Sequence, residues 1–236
     1  MACLAIPCRG VRLVTSHLSP PLALIFDLDG VLIDSEPLHK LAKEQAFAEF
    51  GIVLSEEVYD NYKGRPDETT LREILESHGR MEILVELQQR KRAFFQRVEH
   101  QVQPVAGAVE FVLWAKSRFR IAVATSSTPR NRDMAFRLLG IGDQFDAVVD
   151  SSRHQRPKPD PEVFQVAMSD LGLGARDCWI IEDSVNGVKA AKSAGCVAAG
   201  ITTTFDAARL SRAGADVTVN SFPELRTLLE RQRIIG

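Results

Sequence analysis

The first element that the hydrophobic pattern predicts is a short apolar run that ends abruptly in acidic residues. Residues 22–26 (LALIF) are continuously apolar, follow two prolines, and lead into Asp27, Asp29 and Gly30. Such a run is typical of a parallel strand that is covered on both faces. Ligands in open α/β sheets bind beyond the carboxyl ends of the strands, so the pattern predicts two carboxylates in a ligand crevice. Taken alone, the stretch also fits a strand followed by an ordinary Asp-Gly turn.

The pattern then changes to helical spacing and stays helical to about residue 100. Leu38, Ala42 and Phe47 fall on one face of the first helix, and Gly51 ends it. No strand pattern interrupts this region, which therefore predicts a four-helix insert with helices at 36–50, 55–62, 67–77 and 81–99. We interpret the charged residues of its last helix as a solvated face without a ligand: Arg90, Lys91, Arg92, Arg97 and Glu99.

From residue 104 onward, helices and strands alternate. This alternation favours right-handed βαβ units, so the predicted fold class is α/β with a doubly wound parallel sheet. The strand at 22–26 belongs to the same sheet. Predicted strands lie at 121–125, 147–150, 178–181, 196–201 and 217–219, and predicted helices at 105–117, 129–139, 160–171, 185–194, 207–212 and 223–233.

The domain organisation follows from these patterns. Residues 22–35 and 104–236 form the predicted core domain, and residues 36–103 form a helical cap domain inserted directly after the aspartates. Linkers at 33–35 and 101–104 would let the cap open for substrate and close to exclude water. The alternative is a rigid helical decoration.

Charge and composition exclude several classes of partner. Lysine and arginine total 29 against 31 aspartates and glutamates, a formal net charge of −2, which predicts no nucleic-acid or membrane partner. The four cysteines have no metal-ligand spacing, and no apolar run approaches the roughly 20 residues of a membrane span. We therefore expect a cytoplasmic monomer with a small-molecule substrate.

The first 21 residues differ in composition from the remainder. They contain Arg9 and Arg12 and no acidic residue, as targeting peptides do, but their apolar stretch is short for a signal peptide. We interpret residues 1–21 as a disordered N-terminal extension or as residues added by a translation start upstream of the true one.

Polar side chains also follow the other predicted strands. Thr125 and Ser126 precede a helix start, where hydroxyls and free N–H groups suit a phosphate. Lys158 lies in a proline-rich loop, and Glu182 and Asp183 follow an apolar run. Each of these signals is weak alone, because serine and threonine are common helix caps and lysines are common in surface loops. Together they predict one site in which the carboxylates need a divalent cation and the lysine needs an anion, as in a phosphate carried with Mg²⁺.

Four segments, FDLDGVLIDSEPLH, ATSS, KPDPEVF and IIEDSVNGV, resemble in order and spacing the four motifs of the haloacid dehalogenase superfamily. The resemblance covers residues 22–229 and implies a Rossmann-like core. The helical insert resembles the cap of the subgroup that contains β-phosphoglucomutase and sugar-phosphate phosphatases. A second aspartate at Asp29 favours phosphoryl transfer, because dehalogenases and phosphonatases of the superfamily lack it.

The resemblance implies a role for each motif residue. Asp27 would be the nucleophile that forms an aspartyl-phosphate, and Asp29 the general acid and then base. Mg²⁺ would be the cofactor, bound by Asp27, the Asp29 carbonyl and Asp183, with Glu182 in or beside the ligand set. The transferring phosphoryl group would be bound by three further residues: Thr125, Ser126 and Lys158.

In the cap, the resemblance implies that His39 assists Asp29. Substrate choice would depend on His39 and on a loop formed by Lys63, Gly64 and Arg65. The mutases carry basic residues where this chain has Thr128 and, on the simplest register, Asp67. Because a mutase must hold a second phosphate, we predict hydrolysis. The alternatives are a β-phosphoglucomutase-like isomerase and a catalytically silent binding protein on the same scaffold.

Overall fold

The protein is built around a six-stranded parallel sheet. The computed structural model describes residues 18–62 and 67–235. The strands of this sheet are β1 (Ala23–Phe26), β4 (Arg120–Ala124), β5 (Ala147–Val149), β6 (Cys178–Glu182), β7 (Val197–Ile201) and β8 (Val217–Val219). Their order in the sheet is β5-β4-β1-β6-β7-β8, which confirms the predicted α/β class.

Helices cover both faces of this sheet. The apolar run in β1 alternates between them: Leu24 and Phe26 pack into one buried cluster, whereas Ala23 and Ile25 pack into the other. Because β1 is apolar on both faces, it occupies a central place in the sheet. The helices that follow the insert are α5 (Ala108–Lys116), α6 (Pro129–Leu139), α7 (Glu162–Leu171), α8 (Val185–Ser193), α9 (Ala207–Ala213) and α10 (Phe222–Ile235).

The helical insert has an apolar cluster of its own. Phe47 is fully buried and packs with residues of the second half of the insert, such as Leu71, Leu75 and Leu87. The insert comprises α1 (Glu36–Ala48), α2 (Glu56–Tyr62), α3 (Asp67–Ser77) and α4 (Leu84–Val98).

The two linkers of the insert pair with each other. β2 (Ile33–Asp34) and β3 (Gln103–Pro104) form a two-stranded antiparallel ribbon, in which Ile33 lies opposite Pro104 and Asp34 opposite Gln103. The chain therefore enters and leaves the insert side by side.

Some predicted boundaries are wrong for local reasons. The helix predicted at 105–117 begins at Ala108, because Gly107 precedes it with φ +79°. The helix predicted at 160–171 begins at Glu162, since Asp160 turns its Oδ1 to the Glu162 N–H at 3.0 Å. The helix predicted from residue 81 starts as a 3₁₀ turn, Met81–Ile83.

The N-terminal segment is described only at its end. Residues 1–17 of the predicted extension lie outside the described residues. The Ser19 carbonyl accepts a hydrogen bond from the Trp179 indole N–H at 3.1 Å. Within 18–62 and 67–235, no helix is both long and apolar enough to cross a membrane.

Truncation of Phe47 tests the independent core of the insert. Phe47→Ala should lower the free energy of unfolding by about 3–5 kcal/mol, because it opens a cavity in a fully buried cluster. Chemical denaturation would measure this. Val53, which is 88% exposed on the same insert, is the control: Val53→Ala should change stability by less than about 0.5 kcal/mol. Equal effects of the two variants would contradict the packing described here.

Candidate active site

Three neighbouring strands end at the same edge of the sheet and bring the predicted residues together. Asp27 directly follows β1, Thr125 directly follows β4, and Glu182 is the last residue of β6. Because β1 pairs in parallel with both β4 and β6, the side chains beyond these ends converge. The Asp27 N–H continues the ladder by donating to the Ile181 carbonyl at 3.0 Å. Asp27 is thereby fixed at the centre of the edge.

Lys158 joins two of the carboxylates at this edge. Its Nζ lies 3.0 Å from Asp27 Oδ1 and 2.6 Å from Glu182 Oε1, and it donates to the Ala124 carbonyl at 3.3 Å. Burial alone would lower the pKa of this ammonium, but the charges of Asp27 and Glu182 outweigh burial and raise the pKa of Lys158 above its usual value. Lys158 is therefore a permanent cation beside Asp27.

Asp27, Glu182 and Asp183 form an oxygen-rich cluster whose ligand atoms lie within 4.8 Å of one another. Burial raises the pKa of Glu182 in spite of the opposing charge of Lys158. Burial, with the neighbouring charges of Glu182 and Asp27, raises the pKa of Asp183 well above its usual value. One ammonium does not balance three carboxylates. A hard divalent cation such as Mg²⁺, which prefers oxygen ligands, fits this donor set.

Gly30 lets the first loop pass close to this cluster. Its φ is +75°, and a Cβ atom placed there would lie 1.9 Å from Asp183 Oδ2. Any side chain would therefore both strain the turn and displace the Asp183 carboxylate.

Two serine hydroxyls hold the second aspartate. Ser35 Oγ donates to Asp29 Oδ1 at 2.5 Å, and Ser127 Oγ donates to Asp29 Oδ2. Burial raises the pKa of Asp29, although both hydrogen bonds oppose this effect. Neither serine was among the predicted site residues. Both had a recognisable signal, because Ser127 belongs to the ATSS segment and Ser35 to the FDLDGVLIDSEPLH segment.

The hydroxyls predicted to bind phosphate lie at the same edge of the sheet. Thr125 is buried, and its Oγ1 accepts a hydrogen bond from the Ser127 N–H at 3.0 Å. Ser126 is exposed and precedes α6, whose first turn is capped by the Thr128 hydroxyl. The binding roles of Thr125 and Ser126 stay predictions.

His39 links the insert to the site. Its ring stacks on Phe95 with centroids 4.1 Å apart, and its Nε2 lies 4.0 Å from Asp29 Oδ1. Its Nδ1 lies 3.0 Å from Lys91 Nζ. Burial, followed by the charge of Lys91, lowers the pKa of His39 to about 3. His39 is therefore neutral near pH 7.

The prediction that Lys91 belongs to a solvated face is wrong. Its side chain is 7% exposed, because it turns inward between α1 and α3 to meet His39 and the Asp67 Oδ2 atom. Lys43 Nζ contacts the other oxygen of the same carboxylate at 3.1 Å. The remaining predicted substrate residues of the insert lie outside the described residues: Lys63, Gly64 and Arg65.

The neutral state of His39 predicts an acid-dependent loss of stability. The unfolded chain binds the proton at about pH 6.5 and the folded chain at about pH 3, so protonation favours unfolding. Between pH 6.5 and 5, wild type should lose about 1.6 kcal/mol in total that His39→Gln does not lose, with a slope that approaches about 1.4 kcal/mol per pH unit at the acidic end. Urea denaturation across this range would measure the difference. The control is His78→Gln, which removes an exposed imidazole from the same insert and should show the stability profile of wild type. If the free energy of unfolding of wild type and of His39→Gln changed with pH in parallel, the prediction would be contradicted.

Two characterised proteins are similar to this chain in sequence. One is a phosphorylated carbohydrates phosphatase from Thermotoga maritima, 32% identical over 177 residues, covering 73% of this chain and 81% of the relative. The other is a beta-phosphoglucomutase from Bacillus subtilis, 32% identical over 186 residues, covering 76% and 82% of the two chains.

Comparisons of fold and of family agree with this similarity. The crystal structure of a hydrolase from Pseudomonas syringae superimposes with a TM-score of 0.79 at 24% identity, covering 89% of this chain and 98% of that one. The family model for haloacid dehalogenase-like hydrolases matches residues 24–201. That match begins in β1, ends with β7 and contains every described residue of the site, which confirms the resemblance seen in the motifs. The chain belongs to the haloacid dehalogenase-like hydrolases.

Proposed function

We propose that this protein is a magnesium-dependent phosphatase of small phosphorylated metabolites, chiefly sugar phosphates, and that it works through an aspartyl-phosphate. The observation that carries the proposal is the 3.0 Å contact between Lys158 Nζ and Asp27 Oδ1, at a strand end that also presents Asp29. A nucleophile, a proton donor and a fixed cation at one edge are the parts that phosphoryl transfer requires. The name of the Thermotoga relative supports the same chemistry.

In the first half of the reaction, a carboxylate oxygen of Asp27 attacks phosphorus. The bond between phosphorus and the ester oxygen breaks as the new bond forms, and Asp29 gives its proton to the departing alcohol. Lys158 Nζ, 3.0 Å from Asp27 Oδ1, holds the nucleophilic carboxylate in place at the strand end. Asp29 can hold the proton because burial raises its pKa and the two serines fix its orientation.

In the second half, water hydrolyses the aspartyl-phosphate. Asp29, now ionised, accepts a proton from the attacking water, the oxygen of that water bonds to phosphorus, and the bond to Asp27 breaks. Inorganic phosphate leaves, and both aspartates return to their starting states. The same two residues thus serve both halves of the cycle.

The phosphoryl oxygens need positive partners during both steps. Lys158 supplies one charge, and we assign hydroxyl and backbone N–H donors to Thr125 and Ser126. Bound Mg²⁺, held by Asp27, Asp183 and Glu182 with the Asp29 carbonyl, would neutralise the phosphate and the carboxylates together. The substrate is a small molecule, and we place the enzyme in the cytoplasm as a monomer.

The helical insert has a role in the same proposal. His39 approaches Asp29 within 4.0 Å from the insert side. Closing the insert on the sheet edge would remove bulk water from Asp29 and leave the single water needed for hydrolysis.

A phosphomutase is the second candidate, because the Bacillus relative carries the name beta-phosphoglucomutase. Such an enzyme must hold a second phosphate while the sugar turns over. The mutases carry a basic residue at the position that, on the simplest register, is Asp67 in this chain. Lys43 and Lys91 each contact one of the two Asp67 carboxylate oxygens. This arrangement favours hydrolysis.

Replacement of the nucleophile tests the proposal. Asp27→Asn should lower phosphate release from sugar phosphates by at least about a thousandfold, because no covalent intermediate can form. Chelation of Mg²⁺ should abolish the activity of wild type. Phosphate release would be followed over a panel of sugar phosphates, with Asp34→Asn, an exposed carboxylate in the same segment, as the active control.

Two results would contradict this assignment. Glucose 6-phosphate forming from β-glucose 1-phosphate without free phosphate, after priming with a bisphosphate, would identify the mutase. A folded, Mg²⁺-loaded protein that turns over no phosphate ester would instead indicate a binding protein.

A further inference from the structure

Three consecutive threonines follow β7, the strand that lies beside β6 in the sheet. Residues 202–204 lead from the end of β7 toward α9, and we call them the threonine loop. Because β7 pairs in parallel with β6, this loop leaves the sheet at the same edge as Glu182 and Asp183. The loop lies outside the four motifs, and the proposed chemistry uses none of its hydroxyl groups.

Two of these hydroxyl groups contact residues of the proposed magnesium site. The Thr203 hydroxyl donates a hydrogen bond to the Gly30 carbonyl. The Thr204 hydroxyl donates one to the Asp183 carboxylate. Gly30 directly follows Asp29, whose carbonyl is a proposed ligand of Mg²⁺, and Asp183 is another proposed ligand. The threonine loop therefore holds two of the proposed ligands, one through its carboxylate and the other through the backbone of the next residue.

The Thr204 hydroxyl and the Asp183 carboxylate lie in the same small space beside Gly30. A Cβ atom at Gly30 would meet Asp183 Oδ2 at 1.9 Å and Thr204 Oγ1 at 2.9 Å. The absence of a side chain at Gly30 therefore makes room for both groups side by side. A hydroxyl that donates to an ionised carboxylate forms a charge-assisted hydrogen bond, and this bond restricts the orientation of the carboxylate.

The threonine loop is itself held on both sides. The Thr202 N–H donates to the Val219 carbonyl at 3.0 Å, and the Thr202 hydroxyl donates to Asn220 Oδ1 at 3.1 Å. After the loop, Phe205 is buried in the apolar cluster on one face of the sheet, and the Asp206 carboxylate caps the first turn of α9. The two hydroxyl groups between these anchors therefore approach the carboxylate cluster from a fixed direction.

We propose that Thr204, supported by Thr203, is a positioning residue that orients the Asp183 carboxylate for Mg²⁺. This inference rests on the proposed magnesium-dependent function and adds the threonine loop to the residues on which that function depends. Mg²⁺ requires a near-octahedral arrangement of oxygen ligands, so a carboxylate that is free to rotate binds it less tightly. Loss of a hydrogen bond to a ligating carboxylate typically lowers metal affinity or activity by about ten- to a hundredfold.

Replacement of a single hydroxyl by a methyl group tests this role. Thr204→Val keeps the shape of the side chain and should weaken Mg²⁺ binding to the full chain by about tenfold or more. Thr203→Val should weaken Mg²⁺ binding by a smaller factor, because it acts through the backbone of Gly30. Thr204→Ser keeps the hydroxyl and should bind Mg²⁺ within about threefold of wild type. Calorimetric titration with MgCl₂ measures the affinity directly, and the rise of Tm with MgCl₂ concentration measures it independently.

A matched control and a second readout separate this role from a purely structural one. Thr202→Val makes the same substitution in the same loop, at a hydroxyl that contacts Asn220, and should leave Mg²⁺ affinity within about twofold of wild type. In Thr204→Val, the MgCl₂ concentration that gives half-maximal phosphate release should rise with the Kd for Mg²⁺, whereas the rate at saturating MgCl₂ should stay close to wild type. Should Thr204→Val fail to fold, Thr203→Val, at an exposed position, provides the same test.

The outcomes separate failure of this inference from failure of the proposed function. Wild type that binds Mg²⁺ and releases no phosphate from any ester defeats the phosphatase assignment, and the MgCl₂ titrations of the variants still decide the role of Thr204. Wild-type affinity for Mg²⁺ that Thr204→Val leaves unchanged, or that Thr202→Val and Thr204→Ser lower equally, overturns only the role of Thr204. Wild type that binds no Mg²⁺ in either titration overturns both.

Discussion

The site depends on the position of one buried ammonium group. Lys158 reaches the sheet edge from the loop before α7 and lies between the Asp27 and Glu182 carboxylates, at 3.0 and 2.6 Å. Without this charge, three carboxylates within 4.8 Å of one another would repel and take up protons. Glu182 is fully buried and also accepts hydrogen bonds from the Asp183 and Ser184 N–H groups, so it holds the lysine in place. The parallel sheet is what brings these separate segments to one point.

Much of this arrangement was predictable because it depends on strand ends. A continuous apolar run marks a central parallel strand, and the polar residues after such runs must share one edge of the sheet. Asp27, Glu182 and Asp183 were therefore correctly expected to lie together. The pairing of Ser35 with Asp29 was not predictable, because it depends on the turn after β1 and not on any periodicity.

The burial of Lys91 shows a second limit of sequence patterns. In a run of charged residues on a helix, the sequence pattern does not distinguish a lysine that is buried from one that is exposed. Whether a lysine side chain is buried depends on partners elsewhere in the chain. The partner here, Asp67, is 24 residues away on another helix. Gly187 illustrates the same limit: a Cβ atom there would lie 1.8 Å from the Glu182 side chain, a contact that only the folded structure creates.

Asp29 is the residue at which the core and the insert meet. Its Oδ2 accepts a hydrogen bond from Ser127 in the core, whereas its Oδ1 accepts one from Ser35, the residue before the insert, and lies 4.0 Å from Nε2 of His39 on α1 of the insert. In the proposed closure of the insert, the contact of Oδ1 with His39 would change, whereas the hydrogen bonds from Ser35 and Ser127 come from outside the insert. β2, which pairs with β3, begins at Ile33, a few residues after Asp29, so a short length of chain joins this carboxylate to the insert. In the proposed reaction, the proton donor would therefore be coupled to the position of the insert through its contact with His39.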